Sequence, residues 1–289
     1  MRGKLVRELL LAALLWAAIG SGASGVELKL STWNLEWLTL LPAGDPALPA
    51  DVRPKQPAER AMLRHYADLL AADVVAFQEV DGAAAAEEVF PPERYALHLT
   101  ADHVVQRVGF AVRRGLAFTA NPDLTTLDPP GSWLRSGADI TLTWPGGRLR
   151  LLAVHLKQGC RQEKLTDDAR RACPLLRGQL AALQGWVASR QAEGVPFVLV
   201  GDFNRWMDGG DAFWPALQRT GGLVRATEGR SSPCWGGGGF IDHIIAGGAA
   251  REWMRPDTLR VLVYRESGDE WRGRLSGHCP VSVRFVLPE

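Results

Sequence analysis

The sequence predicts one α/β domain built on a mixed sheet or a pair of sheets. Two observations carry that expectation. Strand-like and helix-like segments alternate along the chain, and no linker is rich enough to divide it. Hydrophobic residues make up 46% of the 289 residues, enough for a sizeable core, while charged residues stand at 22%, near the globular norm.

The elements follow in order. Residues 28–33 alternate apolar and polar, as a half-buried strand does. Pro42, Pro46, Pro49, Pro54 and Pro57 make 38–57 a surface loop. Met62, Leu63, Tyr66, Leu69 and Leu70 fall on one side of a helix over 58–71. A buried strand at 73–77 delivers Gln78 and Glu79 at its end, and a short helix covers 83–89. Strands are expected at 108–112, 138–143 and 149–155, the last two joined as a hairpin through Pro145-Gly146-Gly147. A long amphipathic helix over 175–190 carries Leu176, Leu180, Leu183 and Trp186. The apolar run 197–200 is a buried strand that Gly201 breaks. A short helix at 212–218 and strands at 240–246, 259–263 and 281–286 complete the chain. Gly236 to Gly239 lacks the Gly-x-Gly-x-x-Gly or Gly-Lys-Ser/Thr context of a nucleotide loop, so it reads as a connection.

The formal net charge of +1 gives no global attraction to nucleic acid or membranes, so an anionic partner must be held locally. Arg161, Arg170, Arg171 and Arg177 form a local basic cluster, readable as a solvated face or a phosphate-contacting one. The N-terminus carries Arg2, Lys4 and Arg7, an apolar stretch from Leu9 to Ile19, and small residues to Gly25. That is the pattern of a secretory leader over residues 1–25, and the apolar run is short for a span of ~20 residues. The expected location is periplasmic or extracellular. Export makes disulfides the expected state of the four cysteines. A Cys160–Cys173 bridge would close a short polar loop, leaving Cys234 with Cys279. Structural zinc lacks its CxxC spacing here, and free buried thiols are the remaining alternative.

Asp202 and Asn204 follow the buried run 197–200 with one residue between them, so an extended backbone turns both to one side. A carboxylate and a carboxamide there suit a hydrated cation, an attacking water or a phosphate oxygen. Five other places put polar groups at strand ends: Asn34 with Glu36, Gln78 with Glu79, His155, Asp242 with His243, and Ser276 to His278. Singly, each reads as a cap, a solvated strand end or a satisfied core histidine. Jointly they point to a site, because a layered α/β fold brings strand ends together.

These segments resemble the successive motifs of the endonuclease/exonuclease/phosphatase superfamily. They are Ser31-Thr32-Trp33-Asn34-Leu35-Glu36, residues 73–80, Ala153-Val154-His155-Leu156-Lys157, Gly201-Asp202-Phe203-Asn204, residues 240–244, and Ser276-Gly277-His278-Cys279-Pro280-Val281, and they occur in family order over roughly residues 26–287. The resemblance implies a four-layer α/β sandwich, two packed mixed sheets flanked by helices. It implies phosphoester hydrolysis with Mg²⁺ or Mn²⁺, Glu79 as principal ligand and Glu36 beside it. Asp202 would orient or deprotonate the attacking water. Asn204 and Asn34 would hold the phosphate; apart from the resemblance, the basic cluster offers Arg161 as a further substrate contact. His155 would contact the phosphate or aid the leaving group, Asp242 would pair with a catalytic histidine, and His278 would stabilise the transition state. The family motif usually reads Ser-Asp-His, so Gly277 removes a carboxylate that would bind metal or orient the histidine. Asp242 alone, or Glu266, Asp269 or Glu270 folding back, would have to replace it.

The expected protein is therefore an exported monomeric phosphodiesterase acting on nucleic acid. One alternative is a phospholipid or sphingomyelin phosphodiesterase using Trp37, Leu38, Leu40 and Leu41 as a membrane patch. The other is a catalytically impaired binding protein, which Gly277 favours.

Overall fold

A computed structural model describes residues 25–289. The leader expected over 1–25 lies, but for Gly25, outside the described residues. The strands run β1 Val26–Leu38, β2 Val74–Val80, β3 Tyr95–Leu99, β4 Arg107–Arg113, β5 Ala117–Ala120, β6 Ala138–Trp144 and β7 Gly147–His155. They continue as β8 Phe197–Asp202, β9 Val224–Arg225, β10 Ser231–Ser232, β11 Gly238–Gly239, β12 Asp242–Gly247, β13 Met254–Val261 and β14 Val281–Leu287. The helices are α1 Pro57–Leu70, α2 Ala83–Glu87, α3 Ala172–Ala192, α4 Phe213–Gln218, α5 Ala250–Trp253 and α6 Asp269–Arg274.

Two six-stranded mixed sheets result, in the orders β13-β14-β1-β2-β4-β3 and β5-β6-β7-β8-β12-β9. Each has a parallel pair near its middle, β1 with β2 and β7 with β8. The sheets pack face to face through a shared core that includes Leu30, Phe110, Leu151, Val200 and Ile244. Leu63 and Leu70 of α1 cover the outer face of the first sheet, and Leu176, Leu183 and Trp186 of α3 cover that of the second. This is the expected four-layer α/β sandwich.

The departures from expectation have local causes. Strands β3 and β5 are edge strands with largely half-exposed or exposed residues, so no alternating apolar face announces them. Strand β13 begins earlier than expected, and its register with β14 jumps between Arg255 and Arg260. Pro256 lies within that jump, where it has no N–H to give the ladder. Gly201 does not break β8; it lies inside it with φ +148°, and a side chain there would collide with the carbonyl of Val154 on β7. The glycine therefore lets β8 approach β7 closely one residue before Asp202. Both expected disulfides form, Cys160–Cys173 and Cys234–Cys279, closing separations of 13 and 45 residues. In the chain-entropy model they stabilise the fold by about 3 and 4 kcal/mol respectively.

Candidate active site

Strand pairing alone brings the polar strand ends together. Asn34 lies opposite Gln78, His155 opposite Asp202, and Asp202 opposite Asp242. Strands β1 and β2 of one sheet face β7, β8 and β12 of the other, so these positions meet at one end of the sandwich.

Two matched irregularities then turn the acids out of the pleat. The β1–β2 register shifts between Asn34 and Leu38, and the β2–β4 register shifts between Gln78 and Val80. Glu36, Trp37 and Glu79 take φ values of +44°, +54° and +62° within these bulges. Left-handed backbone at such residues is costly and concentrates at functional sites. Among the described residues, seven non-glycines have positive φ; Trp133 joins those three in lining one cleft, Asn204 lies just beneath it, and Trp235 and Ala71, which caps α1, stand elsewhere. The surroundings hold the strained acids. Glu79 accepts from Asn34 Nδ2 at 3.0 Å, from the Trp37 amide at 3.2 Å and from Gln106 Nε2 at 2.5 Å. Glu36 accepts from the Gly277 amide, and buried Lys55 donates to the Glu36 carbonyl.

Opposite them stands a carboxylate–histidine pair. His278 Nδ1 lies 2.8 Å from Asp242 Oδ2, and His278 Nε2 lies 3.8 Å from Asp202 Oδ2. Burial pulls the His278 pKa down, but the Asp242 and Asp202 carboxylates outweigh it and raise it to about 10. Burial raises Asp202 to about 7 against the pull of His278. Asp202 is held by the Asn204 amide at 2.7 Å and by Asn34 Nδ2 at 3.1 Å. Tyr264 donates to the His278 carbonyl at 3.0 Å and receives Trp33 Nε1 at 2.9 Å. Ser276 Oγ accepts from the His278 amide, and Cys279 ties the next position to Cys234.

The expected site residues divide into two layers. Glu36, Glu79, Arg161, Asp242 and His278 line a cleft of about 590 Å³. Asn34, His155, Asp202 and Asn204 lie beneath it, each at most 5% exposed. Asn34 is not free to meet a phosphate, because its amide is shared between Glu79 and Asp202. Asn204 Nδ2 is likewise given to the Leu156 carbonyl at 3.0 Å. His155 is covered by Arg135, whose Nε donates to His155 Nδ1 at 3.1 Å. Another nitrogen of the same guanidinium lies 2.8 Å from His155 Nε2, which itself stands 3.6 Å from both Glu79 and Asp202. Burial and Arg135 push the His155 pKa well below its usual value, so the ring is neutral. His243 is a core histidine held by Thr227 and the Arg205 carbonyl.

Arg135, Gln106 and Lys55 are the residues that sequence reasoning passed over. Arg135 occupies the cleft wall that His155 was expected to reach. A cation just before a buried strand, 138–144, that pairs with the strand of His155 was the available signal. In the basic cluster, Arg170 pairs with Glu163 at 3.2 Å and Arg177 of α3 with Asp168 at 2.9 Å, so these charges are answered by carboxylates of the loop before α3. Arg161 reaches the cleft.

Gly277 does not leave its histidine without a carboxylate, because Asp242 occupies Nδ1. Glu266 bonds Tyr66 at 2.5 Å and Glu270 pairs with Arg274 at 2.5 Å, so neither folds back to His278. A Cβ at Gly277 would sit 3.3 Å from Glu36 Oε2. A carboxylate added there adds negative charge beside Glu36. Gly277→Asp should therefore leave the rate on a small diester no higher than that of the unaltered protein; a clear gain would show that Asp242 does not suffice.

The donor set fits a hard divalent cation. Glu36 and Glu79 offer carboxylate oxygens to one open, polar cleft, and each oxygen that accepts a hydrogen bond keeps a second lone pair. Asp202, Asp242 and His278 also place one potential ligand atom each within 4.8 Å of the others. There, however, Asp242 holds the Nδ1 proton of a cationic ring, which suits a hydrogen-bonded pair better than a ligand cage.

A four-layer sandwich with carboxylates and a buttressed histidine at one end of the paired sheets defines the class of metal-assisted phosphoesterase folds. The chain belongs to the Endonuclease/Exonuclease/phosphatase family, whose model matches residues 31–259. Members of that family are phosphoester hydrolases. A search of curated proteins by sequence finds no match. Among solved structures, truncated Caenorhabditis elegans TDP2 is similar with a TM-score of 0.62 and 14% identity, over 90% of this chain and 98% of that one. D. rerio TDP2 complexed with single strand DNA product matches with TM-score 0.58 and 18% identity, over 90% and 98% of the two chains. The 3' phosphatase NExo from Neisseria, bound to a product DNA hairpin, matches with TM-score 0.55 and 19% identity, over 89% and 99%. At these identities the likeness concerns the fold.

Proposed function

We propose that this chain is an exported phosphodiesterase that uses Mg²⁺ or Mn²⁺ to hydrolyse nucleic acid. One observation carries the reading: two carboxylates of the first sheet, Glu36 and Glu79, share a cleft with a histidine–carboxylate pair that joins His278, just before β14 of that sheet, to Asp242 on β12 of the second. When bound at Glu79 and Glu36, the metal would neutralise phosphate charge and favour departure of the leaving oxygen. The protein's own residues do the rest. Asp202, raised to about 7, accepts a proton from the attacking water. Cationic His278 offers its Nε2 proton to a phosphate oxygen as negative charge develops, while Asp242 fixes the ring. Asn34, Asn204 and neutral His155 position the acids from below. Arg135 and Arg161 present guanidinium groups to the anion.

Two disulfides favour an oxidising compartment, in keeping with a leader over residues 1–25. No helix among the described residues is long and apolar enough to cross a membrane. The membrane patch needed for a phospholipid substrate has little support, since Leu38 is fully buried and of that set only Leu40 is classed as exposed. The DNA products held by two of the similar structures favour a nucleic-acid substrate.

Protein lacking residues 1–25 should hydrolyse bis(p-nitrophenyl) phosphate when Mg²⁺ or Mn²⁺ is added, and EDTA should abolish the reaction. Absence of metal-dependent turnover on that diester, plasmid DNA, RNA and phospholipid alike would defeat the proposal and favour a binding protein.

A further inference from the structure

The wall of the cleft carries an aromatic side chain that the chemistry above does not use. Trp133 is 81% exposed, the most exposed large hydrophobic residue among those described. It has φ +53°, a conformation that bulky residues seldom adopt without constraint. The loop holding it is not loose. Asp128 Oδ1 accepts from Ser132 Oγ at 2.6 Å and from the Leu134 amide at 2.9 Å, one residue either side of Trp133. Leu134 is buried, and Arg135 is fixed on His155. Asp102 then holds Ser136 through its amide and hydroxyl at 2.9 and 2.7 Å. The chain thus strains one residue to direct an indole outward and anchors both neighbours to keep it there.

The same cleft holds two further indoles, those of Trp37 and Trp206. Trp206 lies over Gly239, where a Cβ would come within 2.8 Å of its ring, and its amide donates to the Arg161 carbonyl at 3.1 Å. Gly239 is therefore an indole seat, which gives the glycine run a purpose that its sequence does not reveal. Lys157 and Arg161 line the cleft with Trp133 and Trp206, and Arg161 is not ion-paired among the described residues. The other exposed large hydrophobics, Val26, Leu40, Leu69 and Val263, do not line this cleft. One strongly exposed indole, with the other cleft tryptophans half-buried among polar groups, is poor at entering a lipid surface, which calls for contiguous apolar area. Aromatic faces interleaved with basic side chains suit successive bases and phosphates of an unpaired strand.

We infer that Trp133, with Trp206, is a stacking platform for an unpaired nucleobase next to the scissile phosphate, and that Lys157 and Arg161 take the adjoining phosphate. This rests on the phosphodiesterase reading and narrows it to single strands or frayed ends, since a base paired in a duplex has no free face to give.

The test compares oligothymidylate with an oligonucleotide of equal length whose central residues are abasic, using the protein from residue 26 onward. Stacking on one indole contributes about 1–3 kcal/mol, so Trp133→Ala should lower kcat/KM on the base-bearing strand roughly 5- to 150-fold more than on the abasic strand. Trp133→Phe should restore most of that difference. Equal losses on both strands would mean a structural role and overturn the inference, as would no loss on either. Preferential turnover of phosphatidylcholine or sphingomyelin vesicles would also overturn it while leaving phosphodiester hydrolysis intact. If no substrate is hydrolysed, fluorescence anisotropy with Ca²⁺-loaded protein still decides. Tighter binding of oligothymidylate than of the abasic strand, lost in Trp133→Ala, sustains the platform although catalysis has failed; equal binding rejects it.

Discussion

Glu79→Gln should reduce metal-dependent diester hydrolysis on the order of 1,000-fold or more. The cation supplies several kcal/mol of charge stabilisation in phosphoryl chemistry, and each 1.4 kcal/mol is a tenfold change in rate. Calorimetric titration with Mn²⁺ should show the matching loss of affinity. Glu79 is the acid with most of the site built around it, accepting from Asn34, the Trp37 amide and Gln106. A glutamine has one carbonyl oxygen and an NH₂ group, so it cannot accept from both sides. Its amine must face one of the donors. That mismatch costs about 1–3 kcal/mol of stability, and activity should be read well below the variant's Tm. Gln106→Ala provides the scale, because removing a group that merely orients a ligand typically costs 10- to 100-fold in affinity or activity. Should Glu79→Gln keep both its Mn²⁺ affinity and its rate, the ligand assignment is wrong. The cluster of Asp202, Asp242 and His278 would then be the place to look for the cation.

The reason Glu79 could be singled out from sequence, but not placed, bears on how much the chain discloses. The apolar run Val74 to Phe77 announces a strand, and polar residues after it announce a strand end. Nothing in Gln78-Glu79 announces a left-handed residue. Glutamate and tryptophan have no preference for positive φ, so the bulges at Glu36, Trp37 and Glu79 are imposed by the fold. The same limit explains Asn34 and His155. Period-2 alternation says which face a residue occupies, but not whether that face opens on a cleft or lies one layer beneath it. Both residues sit beneath it, with their polar atoms spent on Glu79, Asp202 and Arg135. Arg135 was harder to find for another reason: it acts from an irregular loop on a histidine 20 positions away, and its one signal, a cation just before the strand that pairs with that of His155, does not say what the cation meets. The disulfides were legible because four cysteines allow only three pairings and one closes a short loop. For Gly277 the sequence left open which carboxylate would serve His278, Asp242 alone or Glu266, Asp269 or Glu270 folding back; the strand register that sets Asp242 opposite Asp202 brings it from β12.

That carboxylate leads to the second large effect. Asp242→Asn should lower the rate about 1,000- to 10,000-fold, the scale seen when a histidine loses the acid that fixes its proton and orientation. His278→Ala should fall as far. The double variant should be no worse than the poorer single one, since residues acting as a unit are grossly non-additive. Additive losses would mean that Asp242 and His278 act separately, for instance with Asp242 on the metal. Titration distinguishes the cases further. In metal-free protein the His278 ring should titrate near 10, because the Asp242 and Asp202 carboxylates outweigh the opposing effect of burial. The sign of the stability effect follows. A ring whose folded pKa exceeds its unfolded value contributes stability in full below about 6.5 and loses it as pH rises through about 10. Asp242→Asn should bring the titration downward and narrow that window, while the buried Asp202 keeps part of the shift. NMR of the His278 ring and urea midpoints across this range measure both quantities. A ring titrating near 6.5 in the unaltered protein would show that no such ion pair exists, and the cationic role assigned to His278 would fall with it.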